Sequence, residues 1–362
     1  MSDLHLLAGA ASLHDALAQR GIDAGPDPVD LSLGTPVDPT PAVAREALAA
    51  ASDAPGYPLV WGTAPLREAV AGWFARRGVP DLDPDGVLPT IGSKELIAWL
   101  PTLLGLGRGD VVSHPELAYP TYGAGAHLAG ATPVATADPT TLDRAELAWV
   151  NSPGNPHGRV ATVEELRAVV AWARATGTLL ASDECYLELG WEAEPVSLLD
   201  PRVCDGDHRG LLVCYSLSKQ SNLAGYRAGF LAGDPEVIAR LVEVRKHAGM
   251  IVPRPVQAVI AAVVADDAHV AEQKERYRAR RTTLRTAVES AGLRVDHSEG
   301  GLYLWCTRGA QDWDTVADLA RVGILAAPGS FYGPTGDRHV RLALTATDAS
   351  IAAAAERLAR LG

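Results

Sequence analysis

The sequence predicts an α/β protein that has a three-layer α/β/α large domain, built on a mostly parallel sheet, and a smaller α+β domain. Three observations favour this fold. Apolar runs of strand length alternate with amphipathic helical segments up to residue 232, which is typical of a parallel sheet covered on both faces. From residue 292 onwards, short strands separated by helices replace that alternation. A chain of 362 residues is long enough to fill both cores.

The elements of the large domain follow from the apolar period and from the residues that start helices. Pro41 favours a helix start, and Thr162 with Glu165 three positions later has the pattern of a capping box. Apolar runs that end in turn-forming residues are predicted as strands. In chain order, the sequence predicts a helix and an irregular arm in 1–29, strand 29–33, helices 41–51 and 62–77, strand 87–91, helix 95–104, strands 110–114 and 147–150, helix 162–175, strands 179–182, 211–215 and 226–232, and helix 235–249.

The second domain is predicted to follow a hinge at 252–255, where two prolines flank Arg254. We expect an N-terminal arm in 1–29 that packs with the small domain, a large domain in 30–250 and a small C-terminal domain in 251–362. The predicted elements after the hinge are a long helix from 256 to about 291 with a break near 266, strands 294–296, 301–306, 324–326 and 339–344, and helices 314–321 and 348–361.

Composition opposes several classes of protein. Hydrophobic residues make up 47% and charged residues 21%, which excludes disorder, and the formal net charge of −12 opposes a nucleic-acid partner. No apolar run has membrane-spanning length and the start does not resemble a signal peptide, so we expect a cytoplasmic protein with no membrane contact. The four cysteines are far apart, so neither a disulfide framework nor a metal site is expected. No strand is followed by G-x-G-x-x-G, which opposes a dinucleotide dehydrogenase.

Lys219 is the residue on which the functional prediction depends. It follows a buried strand in the segment SLSKQSNLAGYRAGF, with Ser216 and Ser218 beside it and Arg227 in the next apolar strand. A charge in such a strand is costly unless a fixed anion pairs with it. Two hydroxyls, a lysine and an arginine therefore indicate a phosphate site with an amine beside it, and the amine would form a Schiff base with a phosphorylated aldehyde. For an isolated S-x-S-K motif, an exposed lysine near an arginine in a salt bridge is the alternative.

Polar side chains after other strands complete the predicted site. Gly92, Ser93 and Lys94 precede a helix whose free N–H groups and dipole favour an anion, so we expect the other half of the phosphate site there. Asn155 and Asp183 each follow a predicted strand. Because ligand groups lie at the carboxyl ends of parallel strands, both should meet the lysine in one crevice.

Taken together, these segments resemble the fold-type I pyridoxal phosphate enzymes of the aspartate aminotransferase superfamily. The lysine motif of that family is serine, any residue, serine, lysine, with arginine eight positions later, and 216–227 matches it. The family's N-P-x-G motif matches 155–158, and its pattern Y-P-x-x-x-G-x-x-x-L-R starts at Tyr57. Segment 216–230 is most similar to the actinobacterial N-succinyldiaminopimelate aminotransferases. The resemblance extends over the chain from about Asp30 onwards.

The resemblance implies a role for each matching residue. In the family, the lysine holds pyridoxal 5'-phosphate and acts as the base, and an aspartate keeps the pyridine nitrogen protonated so that the ring is an electron sink. Carried over to this chain, the roles are Lys219 as the catalytic lysine, Asp183 as the pyridine partner, Asn155 and Tyr186 at the phenolic oxygen, Tyr119 stacked on the ring, Gly92, Ser93, Lys94, Ser216, Ser218 and Arg227 around the phosphate, Tyr57 reaching the phosphate of the partner subunit, and Gly34, Asn155 and Arg341 at the substrate carboxylate.

The implied activity is that of a homodimeric aminotransferase that transfers an amino group between L-glutamate and a keto acid. N-succinyl-2-amino-6-ketopimelate, in diaminopimelate and lysine synthesis, is the expected acceptor. The alternatives are a different, secondary-metabolic substrate for an aminotransferase of related fold, and a pyridoxal phosphate-dependent β-lyase. A non-catalytic regulator that binds the coenzyme is disfavoured, because too few residues precede the first strand for a DNA-binding unit. Arg254 is a candidate for a second substrate carboxylate, with an exposed hinge residue as the alternative.

Two places depart from the family pattern. Residues 6–11 replace a segment that is rich in proline and aromatic residues in relatives, and Val60-Trp61 are unusual beside the tyrosine of the Y-P pattern. Both regions shape the substrate pocket in relatives, so they bear on the choice of acceptor. Three further polar residues, Tyr122, His114 and Glu184, are predicted to have structural roles only.

Overall fold

The structure is a computed structural model that describes residues 13–361, and it confirms the predicted fold class. It contains a seven-stranded sheet with helices on both faces, a four-stranded antiparallel sheet and a pair of short parallel strands. The departure predicted for residues 6–11 lies outside the described residues. Within 13–361, no helix combines the length and the apolar character needed to cross a membrane.

The strands are short, and most are buried. In chain order they are β1 (Val29–Asp30), β2 (Val87–Ile91), β3 (Val111–Pro115), β4 (Thr132–Thr136), β5 (Leu147–Asn151), β6 (Leu179–Asp183), β7 (Leu211–Ser216), β8 (Ala228–Gly233), β9 (Arg294–Val295), β10 (Tyr303–Thr307), β11 (Ile324–Leu325), β12 (Ala327–Pro328) and β13 (Val340–Ala343).

The helices alternate with these strands in the first two thirds of the chain. They are α1 (Leu13–Gln19), α2 (Ala42–Ala50), α3 (Ala64–Ala75), α4 (Gly92–Leu103), α5 (Thr121–Ala129), α6 (Val163–Thr176), α7 (Pro201–Cys204), α8 (Leu217–Gln220), α9 (Pro235–Ala248), α10 (Arg254–Val264), α11 (Ala268–Ser290), α12 (Asp312–Arg321) and α13 (Asp348–Leu358). The capping box predicted at the start of α6 is present, with Thr162 and Glu165 each bonded to the backbone of the other.

The large sheet has the strand order β2-β8-β7-β6-β5-β3-β4. Strands β3 to β7 run parallel, whereas β8 is antiparallel to both β2 and β7. The edge strand β4 was not predicted, because its residues are exposed or only half-buried and form no apolar run. The mostly parallel sheet expected from the sequence is therefore confirmed.

Both faces of the large sheet are covered, as the residues of β7 illustrate. Leu211, Val213 and Tyr215 pack on the side of helices α2, α3, α6 and α10, whereas Leu212 and Cys214 pack on the side of α4, α5 and α9. Successive side chains of a strand point to opposite faces, so a strand buried on both faces has a continuous apolar sequence. This explains why Leu211 to Cys214 has no polar residue.

The second core is formed by the small sheet, in the order β12-β13-β10-β9, together with α11, α12 and α13. The N-terminal segment contributes to this core, because Leu17 of α1 packs in it and β1 pairs with β11. β1 is shorter than predicted because the backbone N–H and the hydroxyl of Ser32 both donate to Asp30 Oδ1, at 2.8 and 2.6 Å. This local turn ends the strand.

Helix α10 packs with the large sheet rather than with the small one. Its residues Val259, Ile260 and Val263 are buried in the same cluster as β7 and β8. We therefore propose that the large domain extends to Val264, beyond the predicted division at residue 250. The segment 195–210 contains α7, and its leucine and cysteine side chains are buried.

Candidate active site

The strands β5, β6 and β7 end at one edge of the large sheet. Asn151 lies opposite Asp183 in the sheet register, and Asp183 lies opposite Cys214. The loop after β5 carries Asn155, and the helical turn α8 after β7 carries Lys219. A cavity of about 500 Å³ opens at this edge. The structure thus brings the three residues to the carboxyl ends of parallel strands, where α/β sheets bind ligands.

Most of the predicted site residues line this cavity. Gly92 does not line it but lies against Arg227, and Tyr57 does not line it in the described chain. The predicted residues in the lining are Gly34, Ser93, Lys94, Tyr119, Asn155, Asp183, Tyr186, Ser216, Ser218, Lys219, Arg227 and Arg341.

Lys219 lies on a single helical turn that follows β7. Ser216 caps this turn, because its hydroxyl oxygen accepts a hydrogen bond from Ser218 N at 3.2 Å. The turn directs the lysine side chain across the cavity, where its Nζ donates to the carbonyl oxygen of Gly34. The amine is therefore half-buried and held at one atom of a remote segment.

Hydroxyl, guanidinium and backbone N–H groups meet on one side of the lysine. The hydroxyl of Ser216 donates to that of Ser218 at 2.9 Å, and Ser93 lies in the first turn of α4. Gly92 begins this helix with φ of 70° and packs against the Arg227 guanidinium, so that a Cβ at this position would collide with it. Only glycine combines this backbone with so close a contact.

Arg227 differs from its predicted environment. It does not lie in a buried strand, since β8 begins one residue later, and its own φ is 55° in the left-handed region. Its side chain is exposed, and its Nη1 donates to Ala224 O at 2.9 Å. The guanidinium still faces the cavity beside the serines. The turn conformation of its backbone, rather than the strand, places it there.

Asp183 is buried at the floor of the cavity. Its Oδ2 accepts a hydrogen bond from the hydroxyl of Tyr122 at 2.8 Å, and its Oδ1 accepts one from Cys185 N at 3.2 Å. Burial raises the pKa of Asp183, while the hydrogen bonds from Cys185 and Tyr122 oppose that rise. A fixed carboxylate in this position can pair with a protonated ring nitrogen.

Tyr122 is the clearest residue that sequence reasoning missed. The prediction assigned it to helix packing, and it does pack in α5 against Trp149, with ring centroids 5.2 Å apart. Its hydroxyl nevertheless holds Asp183, and burial raises the pKa of Tyr122 well above the usual range, so that the phenol stays a donor. Tyr119, which lies two residues before the start of α5, contacts the Tyr122 ring edge to face at 6.1 Å.

Arg341 lies deep on the opposite side of the cavity, only 6% exposed. Its guanidinium is stacked between the rings of Tyr303 and Tyr332, at 3.9 and 4.8 Å from their centroids. Nη1 donates to Asn155 Oδ1 at 2.9 Å and Nη2 donates to Ser32 O at 2.6 Å. Two aromatic faces fix the plane of the guanidinium, which suits it to a planar carboxylate.

Tyr186 and Tyr303 share a hydrogen bond between their hydroxyls at 3.2 Å. Burial raises the pKa of Tyr186 well above its usual range. For Tyr303, burial acts in the same direction, but the charges of Arg341 and Lys219 lower its pKa below the usual value. Tyr303 is therefore the more acidic phenol of the pair, and the sequence did not single it out because it lies in an apolar strand.

Further residues in the lining were not predicted. The apolar side chains of Leu33 and Phe331 lie at the cavity mouth, 61% and 39% exposed, and Tyr332 and Cys185 line the wall. Phe331 and Tyr332 come from the segment between β12 and β13, and a loop sequence such as GSFYGPTG gave no periodic signal for their direction. The lining has four cationic side chains, Lys94, Lys219, Arg227 and Arg341, and one carboxylate, Asp183.

Three residues singled out from the sequence lie away from this cavity. Tyr57 is 99% exposed, and Trp61 packs under the Arg67 guanidinium, 4.5 Å from its ring centroid. Arg254 lines a separate cavity of about 290 Å³ at the start of α10. Within the described chain, the structure therefore does not bring these residues to the lysine.

Glu184 has a structural environment, as predicted. It follows the last residue of β6, and its Oε1 accepts a hydrogen bond from Leu198 N at 2.7 Å outside the cavity lining. Burial raises the pKa of Glu184 to about 7. The neighbouring Asp183, the last residue of β6, lines the cavity, whereas Glu184 does not.

The arrangement fits pyridoxal 5'-phosphate. An amine lies in the middle of the cavity, a buried carboxylate lies below it, and the Nδ2 amide group of Asn155 has no protein partner among residues 13–361. The third corner has hydroxyls, a guanidinium and the start of α4, where Gly92 lies directly against the Arg227 guanidinium. These are the donors required by a phosphorylated pyridine aldehyde.

The fold and this site define a pyridoxal phosphate-dependent transaminase. A profile of the family "Aminotransferase class I and II" matches residues 26–358. The chain belongs to this family.

Relatives of known sequence and structure agree with this assignment. A 4-dedimethylamino-4-oxo-anhydrotetracycline transaminase of Streptomyces rimosus is 58% identical over 91% of this chain and 92% of its own length. A probable aminotransferase of Mycobacterium tuberculosis is 60% identical over 95% of this chain and 84% of its own length. The N-succinyldiaminopimelate aminotransferase structure from Mycobacterium tuberculosis has a TM-score of 0.86 and 28% identity, and the match covers 99% of both chains.

Proposed function

We propose that this aminotransferase takes the amino group of L-glutamate with Lys219 as the base, and passes it to a keto acid whose carboxylate binds Arg341. The observation that carries the proposal is the convergence of Lys219, Asp183 and Arg341 on one cavity from three remote parts of the chain. An amine, a carboxylate and a carboxylate receptor are the groups that the reaction requires around one carbon atom.

Each residue has a distinct task in the proposed reaction. Arg341 binds the α-carboxylate, and the tyrosines on its two faces keep the guanidinium edge directed at it. Lys219 Nζ takes the α-proton of the amino acid and later returns it to the carbon on the coenzyme side. Gly34 O holds that amine while the proton is on it. Bound pyridoxal phosphate supplies the electron sink for the bond that breaks.

Asp183 and Asn155 tune the same site. Asp183 holds a proton at the ring nitrogen, and Tyr122 fixes the carboxylate that does so. Asn155 and Tyr186 would hold the phenolic oxygen of the coenzyme, and Asn155 Oδ1 also accepts a hydrogen bond from Arg341. Leu33 and Phe331 add exposed apolar surface to the cavity lining.

The first candidate acceptor is N-succinyl-2-amino-6-ketopimelate, which would place the chain in diaminopimelate and lysine synthesis. The similarity to the Mycobacterium tuberculosis enzyme of that name supports it. The surplus of cationic side chains in the lining also suits a substrate with several carboxylates.

The second candidate is a secondary-metabolic acceptor. The 58% identity with the Streptomyces rimosus transaminase, whose name gives a 4-oxo-anhydrotetracycline substrate, favours it. The apolar mouth formed by Leu33 and Phe331 also suits a planar ring system better than a succinyl group. The two candidate acceptors differ in the charge of the part of the substrate that extends out of the cavity.

A half-reaction experiment tests the proposal. Purified protein loaded with pyridoxal phosphate is mixed with L-glutamate, and the visible absorbance of the lysine-bound coenzyme is followed. We expect the absorbance to decay and one equivalent of 2-oxoglutarate to form. Each acceptor is then added to the aminated enzyme, and recovery of the absorbance identifies the substrate. Formation of ammonia instead of an aminated acceptor would favour the β-lyase and contradict the proposal.

We further propose that the enzyme is a homodimer in which Tyr57 reaches the phosphate in the partner subunit. The support is that Tyr57 and its neighbour Leu59 are 99% and 61% exposed, although aromatic and apolar side chains of this size are usually covered. Sedimentation of the loaded enzyme should give a dimer. The variant Tyr57→Phe should bind the coenzyme more weakly and still sediment as a dimer. The cytoplasmic location stays a prediction.

A further inference from the structure

The segment that holds the lysine amine is itself held by a buried carboxylate. Gly34, whose carbonyl accepts from Lys219 Nζ, begins a segment that reaches Asp38 four residues later. The Asp38 carboxylate is only 9% exposed and lies against helix α11. It is not part of the cavity lining. Thr345 Oγ1 holds the segment before Gly34 by donating to Leu33 O at 2.9 Å, and the Asp38 contacts fix it on the side after Gly34.

Asp38 is bound by two residues of α11. Arg280 donates to both of its oxygens, from Nη2 to Oδ1 at 2.6 Å and from Nη1 to Oδ2 at 2.8 Å. Gln273 Nε2 donates to Oδ2 at 2.8 Å. Burial would raise the pKa of Asp38, but the hydrogen bonds from Arg280 and Gln273 lower it below its usual value. The carboxylate is thus charged and bidentate, which is a directional contact.

The same helix holds the turn that carries the lysine. Asn222, three residues after Lys219, donates to Gln273 Oε1 at 2.9 Å and to Pro39 O at 3.3 Å. The Tyr277 hydroxyl donates to the backbone oxygen of Lys219 at 3.3 Å. Gln273 therefore links Asp38 to Asn222. Helix α11 thus contacts both the turn that carries Lys219 and the segment whose Gly34 carbonyl accepts from the lysine amine.

We propose that Asp38 is a positioning residue for the proton transfer at Lys219. Through Arg280 and Gln273 it fixes the Gly34 carbonyl relative to the lysine turn, so that the amine returns to one place each time it is released. The inference rests on the proposed role of Lys219 as the base. A displacement of about 1 Å in such a reacting group can lower the rate about 100-fold.

The chain offers a matched control for this inference. Arg280 has a second acidic partner, Asp348, whose Oδ1 accepts from Nε at 2.6 Å and whose side chain is 80% exposed. Asp38→Asn and Asp348→Asn each remove one negative charge from the same guanidinium. Only the first of them alters the segment that contains Gly34. Each variant leaves Arg280 with one carboxylate, so neither strands a buried charge.

The experiment compares kcat, KM and the kinetic isotope effect with α-deuterated L-glutamate in the loaded enzyme. We expect Asp38→Asn to lower kcat about 10- to 100-fold and to raise the isotope effect, because proton transfer becomes the slow step. The visible absorbance of the lysine-bound coenzyme should be that of the wild type. Asp348→Asn should resemble the wild type in all of these, and Gln273→Met should change kcat in the same direction as Asp38→Asn.

Two results would overturn the inference. One is that Asp38→Asn and Asp348→Asn change kcat and the isotope effect equally, or leave both unchanged, while the wild-type enzyme is active. The other is that Asp38→Asn loses activity only because it unfolds or fails to bind the coenzyme. In that case the isotope effect stays unchanged in its active fraction, or in Gln273→Met. A wild-type enzyme that does not transaminate glutamate would instead contradict the proposed function.

Discussion

Replacing Tyr122 by phenylalanine removes one hydroxyl from the structure and no other atom. That hydroxyl donates to Asp183 Oδ2 at 2.8 Å, and both side chains are buried. A hydrogen bond to a charged group contributes about 1.5–3 kcal/mol. If the carboxylate must stay charged and fixed to pair with the pyridine nitrogen, the loss corresponds to an about 10- to 100-fold decrease in kcat/KM.

The pH dependence gives a sharper test than the rate. The hydrogen bond from Tyr122 lowers the pKa of Asp183, so its removal should raise that pKa further above the usual value. Asp183 is protonated as the pH falls. The acid limb of the kcat/KM profile of Tyr122→Phe should therefore move to higher pH, and the loss of activity should be largest in acid.

Tyr215→Phe is the matched control for this prediction. Its hydroxyl is also buried and donates to Gln220 Oε1 at 2.5 Å, on the other face of the large sheet. The control removes the same atom from a similar environment without touching Asp183. We expect it to lower stability and to leave the acid limb unchanged. An acid limb that is the same in Tyr122→Phe and wild type would refute the role given to Tyr122.

Three further predictions follow from single contacts. Gly92→Ala should weaken coenzyme binding, measured by titration of the apoenzyme, because its Cβ would displace the Arg227 guanidinium; an unchanged dissociation constant would contradict the contact. Arg341→Lys should raise KM for L-glutamate, since lysine cannot form a planar fork between the tyrosines; steady-state kinetics with an amine that lacks a carboxylate should show no such change. Glu184→Gln should flatten the pH dependence of unfolding. Burial raises the pKa of Glu184 from 4.5 to about 7, so the wild type gains stability from bound protons below pH 4.5 and loses it as the pH rises through 7. Between about pH 5 and about pH 8 this pH dependence should change the free energy of unfolding of the wild type, but not of Glu184→Gln, by about 2–3 kcal/mol, measured by denaturant unfolding; the same pH dependence in both proteins would contradict it.

The convergence of Asn155, Asp183 and Lys219 was predictable because it depends on a simple rule of parallel sheets. Each residue follows a buried strand, and the ends of such strands meet at one edge. The capping box of α6 and the break between α10 and α11 were predictable for similarly local reasons. These features depend on patterns of a few neighbouring residues.

Contacts between remote segments could not be predicted in the same way. The predicted elements include no helix over 121–129, and the prediction that Tyr122 serves helix packing does not show which atom its hydroxyl meets. Arg227 was placed in a strand because its neighbours are apolar, whereas its left-handed backbone ends a turn before the strand begins. The stacking of Tyr303 and Tyr332 on Arg341 joins two strands and a loop whose directions depend on the whole small domain.

The central claim is that Lys219 carries the coenzyme, and chemical trapping tests it most directly. Borohydride treatment of the loaded enzyme, followed by proteolysis and mass spectrometry, fixes the coenzyme on the lysine that holds it. We predict that the phosphopyridoxyl group is found on the peptide that contains Lys219 and that Lys219→Ala protein acquires none. A label on Lys94 or another lysine, or full labelling and activity in Lys219→Ala, would contradict the account.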